Sequence, residues 1–353
     1  IAPYGMEITR LDQFTKGSSS GWSVAAFGNL TYTFLENFDA TIGYRYESGI
    51  GKVDNISFFK YTGTLPDPVP EPLKPALGFL NVVDTNKREK KSDFLSHKYS
   101  LAYRINKEEM TYFSVSSGFH GGGFNSASNK THPDYGNEYT WNYELGYKGS
   151  FLDNRLRINT SIFFIDWQNQ QLLIVGDLSS PFQTISNAGK TEIKGLEFEA
   201  TAILIEGLSM NFVFGYLDAK LKEYKFTDKI NGKDSVFDYS GNKLPFTPDI
   251  NSSLNVKYEI PADFAGLDGV FDINFNMQYM GKYYSSHMNF YETESRVIMN
   301  GKIGYNTQNY DVFFWVRNLT DLKYIYATYE YRGGNNALMG APRTLGLTVN
   351  FKL

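Results

Sequence analysis

Arg343-Thr-Leu-Gly-Leu-Thr-Val-Asn-Phe-Lys-Leu353 closes the chain, and its reading decides the fold. Leu345, Leu347, Val349, Phe351 and Leu353 share one face; Thr344, Gly346, Thr348, Asn350 and Lys352 share the other. Strict period-two alternation over about ten residues matches one tilted strand crossing a bilayer. A soluble sandwich strand can alternate too, but it seldom runs to the terminal carboxylate with an unbroken apolar side. The pattern asks for lipid on one face and water or packed polar groups on the other. That combination belongs to an all-β, transmembrane antiparallel β-barrel.

Composition fits. Of 353 residues, 26 are Tyr, 28 Phe and 4 Trp, a 16% aromatic share suited to the girdles of a barrel. Mean hydropathy is −0.36 and no run of 18 apolar residues occurs, which excludes a helical span but not strands with one polar face. Zero Cys suits passage through an oxidising periplasm, although many cytosolic proteins lack it too. Net charge −4 and pI about 5.7 argue against nucleic acid as a partner. The opening Ile1-Ala-Pro-Tyr4 is neither a signal peptide nor a start methionine, so a processed or missing beginning is expected.

Upstream of the final strand the alternation repeats. Lys16-Gly-Ser-Ser-Ser20 reads as a flexible loop, followed by strands over 22–35 and 40–46. A loop of some 45 residues then holds Pro66, Pro68, Pro70, Pro72 and Pro75, ordinary only on the outer face of a barrel. Hairpins follow at 97–105 with 109–118, 139–151 with 155–166, and 190–204 with 208–218. Two more lie at 249–260 with 269–283 and 295–305 with 310–319. Strand 190–204 changes phase at Lys194-Gly195, which reads as a glycine bulge.

Short and long connections alternate through these thirteen strands, so the long ones are expected outside and the C-terminus on the periplasmic side. Bacterial single-chain barrels have even strand numbers, and an open sheet cannot leave its edges in lipid. Upstream strands are therefore expected to be absent from the chain. The alternative is that residues 4–12 form a fourteenth strand closing a small complete barrel.

Several stretches resemble the barrel of TonB-dependent outer-membrane receptors. They are Gly118-Phe-His-Gly-Gly-Gly-Phe-Asn125, Asn137-Glu-Tyr-Thr-Trp-Asn-Tyr-Glu-Leu-Gly-Tyr-Lys148 and Asp153-Asn-Arg-Leu-Arg157. Asn187-Ala-Gly-Lys-Thr-Glu-Ile-Lys-Gly-Leu-Glu197, Asn318-Leu-Thr-Asp321 and Ala341-Pro-Arg-Thr344 continue the series in order across residues 22–353. The resemblance implies a 22-stranded barrel plugged by an N-terminal domain, with residues 1–353 as one partial barrel domain: its last thirteen strands, without the plug. It further implies energised import: a ligand binds outside, the plug senses it, and the inner-membrane TonB complex pulls on the plug. One departure is the end of the chain, where Phe351 stands two residues before Leu353 instead of closing it.

No catalytic constellation is evident, and neither enzyme activity nor a resident cofactor is expected. His97, His120, His132 and His287 are scattered without metal-ligand spacing, though His120 and His132 could meet across one loop. Asp234, Asp238 and Asp249 do not repeat a calcium-loop spacing. Gly121-Gly-Gly123 lacks the strand-turn-helix context of a phosphate loop and reads as a mobile strand-to-loop transition. Glu144 and Lys148 are expected inward, with Tyr143, Leu145 and Tyr147 toward lipid.

Ligand capture falls to the outer loops and upper wall. In Tyr324-Ile-Tyr-Ala-Thr-Tyr-Glu-Tyr-Arg-Gly-Gly334, tyrosines and an arginine can stack on and hydrogen-bond an anionic aromatic chelate such as a ferric siderophore. The alternative for the same residues is an aromatic girdle. The candidate ligand-binding residues are Tyr326, Tyr329, Tyr331, Arg332, His120 and Phe124. Rival readings are a passive diffusion porin and an adhesive barrel; after an iron chelate, cobalamin, a nickel chelate or an oligosaccharide are the remaining ligands.

Overall fold

The computed structural model describes residues 7–65, 84–125, 133–175, 183–230, 233–331 and 334–352. The first strands are β1 (Glu7–Phe34), β2 (Phe38–Thr64), β3 (Asp84–Arg104) and β4 (Glu109–His120). Two short ones, β5 (Gly123–Phe124) and β6 (Asp134–Tyr135), precede β7 (Glu138–Phe151), β8 (Leu156–Val175) and β9 (Gln183–Ile205). Then come β10 (Leu208–Ile230), β11 (Lys233–Asp238), β12 (Ile250–Pro261), β13 (Val270–Met280) and β14 (Arg296–Asn306). The chain ends with β15 (Tyr310–Arg317), β16 (Ile325–Tyr331), β17 (Gly334–Met339) and β18 (Thr344–Phe351).

Thirteen strands form one antiparallel meander, β1-β2-β3-β4-β7-β8-β9-β10-β12-β13-β14-β15-β18. β11 extends β10, while β5–β6 and β16–β17 are separate ribbons at the long-connection end. The count and order match the sequence reading. Among the described residues, β1 pairs only with β2 and β18 only with β15, so the sheet is an arc with two free edges. Residues 7–12 do not lie between those edges. They continue β1 and pair with β2, Glu7 opposite Thr64 and Asp12 opposite Lys60, which removes the fourteen-stranded barrel.

The strands outrun their expected ends. Lys16–Ser20 is not a loop: Lys16 pairs with Ile56 and Ser20 with Lys52. Alternation fades there because the ribbon has both faces in water, while its ladder hydrogen bonds continue. From Tyr46 to Thr64 the ribbon projects about 60 Å at ordinary strand rise.

At the other end the connections are tight. Leu35 and Glu36, and Leu152 through Asn154, adopt positive φ to reverse the chain within a few residues. Gly207 turns β9 into β10 at φ +78, where a Cβ would lie 2.1 Å from the Glu259 carbonyl oxygen. Only glycine fits.

Within the spanning layer the alternation holds. On β18, Leu345, Leu347, Val349 and Phe351 are exposed on the outward face. On the inward face, Trp315 Nε1 donates to Thr348 Oγ1 at 3.2 Å. Gly346 gives the Trp315 ring its room, since a Cβ there would stand 2.2 Å from it. Outward aromatic groups mark both borders. Toward the turns, Phe34 stacks on Phe38 at 5.3 Å and Phe271 meets Tyr305 at 5.1 Å. Toward the long hairpins, Tyr44 and Tyr99 share a 3.0 Å hydrogen bond and His97 stacks on Trp141 at 5.7 Å.

Beyond that upper border the polarity of β8–β10 inverts. The outward face now carries ion pairs: Lys190–Asp166 at 3.4 Å, Lys220–Asp218 at 2.9 Å and Lys222–Glu192 at 3.2 Å. The inward face becomes an apolar core of Leu172, Ile193, Ala219, Leu221, Tyr224 and Leu244, flanked by Phe163, Ile165 and Trp167. This explains the phase change at Lys194-Gly195, which is not a bulge. Lys194 and Gly195 pair in continuous register with Phe164 and Phe163. Gly195 is small because a Cβ would stand 2.3 Å from the Phe163 ring. The register shifts lie elsewhere, farther up between Gln168 and Gln171 and between Leu221 and Glu223, and at the tight turn between Leu208 and Ser209.

Candidate functional site

The concave side of the arc holds a cavity of about 720 Å³ spread over β4, β7–β10, β12 and β13. Glu144, Glu197 and Glu199 all face it, because each strand sends every second residue inward. Tyr112 Oη donates to Glu144, and Lys148 sits 5.6 Å from the centre of the Tyr112 ring. Asn159 and Asn211 donate to Glu199 at 3.4 and 3.3 Å. Among the described residues none of the three carboxylates forms an ion pair. Closer to the tight turns the same wall is compensated: buried Asp272 takes Lys302 at 2.6 Å and Lys257 at 3.9 Å.

Above the cavity, the segments 239–249 and 281–295 are tied together. Asn289 accepts from Lys243 N at 2.7 Å and donates to Lys243 O at 3.0 Å, while Asn242 donates to His287 O at 2.9 Å. His287 is buried edge-on against Tyr224 and Tyr239, with ring centres 5.0 and 5.4 Å away. Burial holds the His287 pKa below its usual value and pushes those of Tyr224 and Tyr239 up. His287 Nε2, Tyr224 Oη and Trp167 Nε1 have no hydrogen-bond partner among the described residues.

The β16–β17 ribbon is anchored through Arg296. Its guanidinium lies 5.2 Å from the Tyr283 ring and 4.9 Å from the Tyr324 ring, and it donates to Tyr283 Oη at 3.0 Å. Tyr283 Oη in turn donates to the Tyr326 carbonyl, and Thr328 N donates to Ser285 Oγ at 2.9 Å. Tyr326 and Tyr329 are exposed on this ribbon. Tyr331 ends β16 with its side chain outside the described residues, as is all of Arg332.

His120 and Phe124 belong to a different cluster. His120 is exposed, with Nδ1 at 3.0 Å from Gln171 Oε1 and 3.7 Å from Glu138. Phe124 lies under the Arg88 guanidinium, 5.5 Å from ring centre to Cζ. No described hydrogen bond or ring contact joins this cluster to Tyr326 and Tyr329. The proposed approach of His120 to His132 falls outside the described residues.

The glycine run beside Phe124 is pinned, contrary to its reading as a mobile transition. Gly122 N donates to Asn137 Oδ1 at 2.8 Å. Asn125 accepts from Ile185 N at 2.8 Å and donates to Ile185 O at 2.7 Å, imitating a strand pair with its side-chain amide. Asn187 donates to the carbonyls of Gly136 at 3.0 Å and Asn169 at 2.8 Å. Near the chain end, Asn318 donates to Leu322 O and Ala341 O at 2.9 and 3.1 Å and accepts from Leu322 N at 2.9 Å. Arg343 N donates to Asp321 at 3.1 Å. The motifs distant in sequence therefore meet in pairs as amide knots at strand ends. Arg296 escaped the sequence reading; its only signal was a charge at an inward strand position next to a tyrosine-rich loop.

Residues 2–319 match the family described as TonB dependent receptor-like, beta-barrel. The chain belongs to that family, whose barrels reside in the outer membrane. It is 24% identical over 341 residues to the pesticin receptor of Yersinia pestis, covering 94% of this chain and 44% of the relative. It is 25% identical over 270 residues to the probable TonB-dependent siderophore receptor PiuA of Acinetobacter baumannii, covering 74% of this chain and 34% of PiuA. Its fold matches the crystal structure of the ferric yersiniabactin uptake receptor FyuA from Yersinia pestis with TM-score 0.76 at 19% identity. That match covers 96% of this chain and 46% of FyuA, so the arc is a partial barrel spanning about half of such a receptor.

Proposed function

We propose that this chain, as one barrel domain over residues 1–353, walls an outer-membrane receptor that imports a scarce nutrient, foremost a ferric siderophore. The long hairpins stand outside the cell, and the tight turns and C-terminus lie in the periplasm. Ligand is captured at the mouth by Tyr326, Tyr329, Tyr331 and Arg332 on one side and His120 and Phe124 on the other. The chain itself performs no chemistry on the ligand. Binding is relayed to a plug inside the barrel, on which the inner-membrane TonB complex pulls.

The observation that carries this reading is the layering of the concave wall. Glu144, Glu197 and Glu199 surround a cavity of about 720 Å³, and among the described residues no cation is paired to them. Carboxylates on a partly desolvated wall favour cationic partners. Basic side chains of an inserted plug would complete them; an open water-filled pore would leave them to mobile ions. The test is uptake of radiolabelled iron by cells expressing the whole receptor, supplied as a panel of ferric siderophores. Uptake of at least one chelate should require both the receptor and TonB. Receptor-dependent permeation of small solutes that persists without TonB would refute the proposal in favour of a porin. Protease added to intact cells should cut within 49–95, 119–138, 167–189, 219–248, 284–294 and 320–342 before 106–109 or 306–309. The opposite order would reverse the orientation.

A further inference from the structure

A second recess, of about 340 Å³, opens on the inward face where β1, β2 and β3 pass the upper aromatic border. Its floor follows from cross-strand register. Gly21 lies opposite Gly51 and Gly51 opposite Lys90; one step down, Ser23 lies opposite Gly49 and Gly49 opposite Ser92. A further step down, Ala25, Glu47 and Phe94 align. Five side chains that would otherwise fill this patch are thus reduced to a hydrogen or a hydroxymethyl group. A Cβ placed on Gly51 would meet nothing within 4 Å, so the space above it is open.

The rim is aromatic and held in place. Phe94 is buried and lies parallel to Phe119, ring centres 3.7 Å apart at 7°. Phe124 is held beneath Arg88, and Gly122 beside it is fixed by Asn137. Charge at the rim is one-sided. Glu47 is neutralised by Arg45 at 2.7 Å. Lys90 Nζ meets the neutral Tyr135 carbonyl and, among the described residues, no carboxylate.

We propose that this recess is a subsite for one planar, anionic aryl arm of the ligand, a phenolate or catecholate, and it rests on the import reading above. The ring lies over the glycine floor between Phe94 and Phe124, where edge and face contacts are available, and Lys90 faces its oxygen atoms. The volume is at the lower limit for a ligand pocket and suits one arm of a chelate, not the whole. Trp22, next to Gly21 on β1 but on the opposite face of the sheet, is close enough to report occupancy by energy transfer to an iron complex.

The experiment measures tryptophan-fluorescence quenching of the whole receptor in detergent by the iron(III) complex of 2,3-dihydroxybenzoate. Iron(III) citrate, which has no ring, is the control. The aryl complex should quench saturably. Gly51→Leu, which fills the recess, and Phe124→Ala should each weaken its binding about tenfold or more. Lys90→Gln should weaken it severalfold, and Lys90→Arg should restore it. Heat-modifiable migration in gels, unchanged in all variants, establishes that the barrels are folded. Unchanged affinity in folded Gly51→Leu overturns the subsite and leaves the import reading standing. Saturable binding of citrate alone overturns it likewise, whereas uptake lost for every chelate in the preceding test removes the import reading itself.

Discussion

Substituting arginine at Leu347 and, separately, at Thr348 tests the membrane face of β18 on neighbouring residues of one strand. Leu347 is 69% exposed on the outward face, beside Leu345, Val349 and Phe314, all exposed and apolar. It is the fourth of eight residues in β18, so it lies near the middle of the strand's span. An arginine there has no polar neighbour on its face and should cost about 2–4 kcal/mol. Thr348 faces inward and accepts one hydrogen bond from Trp315. Losing that bond costs about 0.5–1.5 kcal/mol, and the guanidinium reaches a polar lumen. The gap between the variants should therefore be about 0.5–3.5 kcal/mol. Guanidinium titration of the whole receptor in phospholipid vesicles, followed by tryptophan fluorescence, measures it. Equal losses, or a larger loss at Thr348, would refute the assignment of these faces.

Asn318→Ala removes three hydrogen bonds from a buried knot and should destabilise by about 2–4 kcal/mol, with Asn318→Asp recovering only part of it in the same titration. His287 has a folded pKa below its unfolded value, so the neutral ring stabilises the mouth above about pH 6.5, and that contribution falls away as pH drops below it. Protease cutting within 281–295 should rise between pH 7.5 and 5, and His287→Phe should remove that rise; a rise of equal size in the variant would exclude His287 as its source. Gly195→Val drives a methyl-bearing carbon into the Phe163 ring and should cost about 1–3 kcal/mol, relieved in the double variant with Phe163→Ala. Additive losses would show that the two residues do not collide.

Sequence was most informative where one face met lipid. Leu345, Leu347, Val349 and Phe351 announced their strand because hydrocarbon tolerates no exception on that side. The same rule misled at Lys194-Gly195 and at Lys16–Ser20, where pairing continues after the lipid has ended. Apolar alternation reports the solvent on each face, and the ladder itself leaves no trace in side-chain type. The mouth was legible only in part. Tyr326 and Tyr329 were visible as aromatic residues in a loop, but Lys90, Phe94 and Arg296 acquire their setting from partners dozens of residues distant. The repeated asparagines looked like family signatures; their physical task, replacing backbone pairing where strands stop, needed coordinates to be seen.

The inversion along β8–β10 also fixes height. A slip of one residue between neighbouring strands is forbidden by alternation, since it turns every side chain to the wrong face. A slip of two keeps the faces and would go unpunished in a uniformly patterned barrel. Here it would draw Lys194 and Asp218 down into hydrocarbon, or lift Leu196 and Tyr216 into water, while shearing Ile193 and Leu221 out of their packing. The strands thus carry a waterline written into their own residues, which sets how deep the arc floats without reference to the thickness of the bilayer around it.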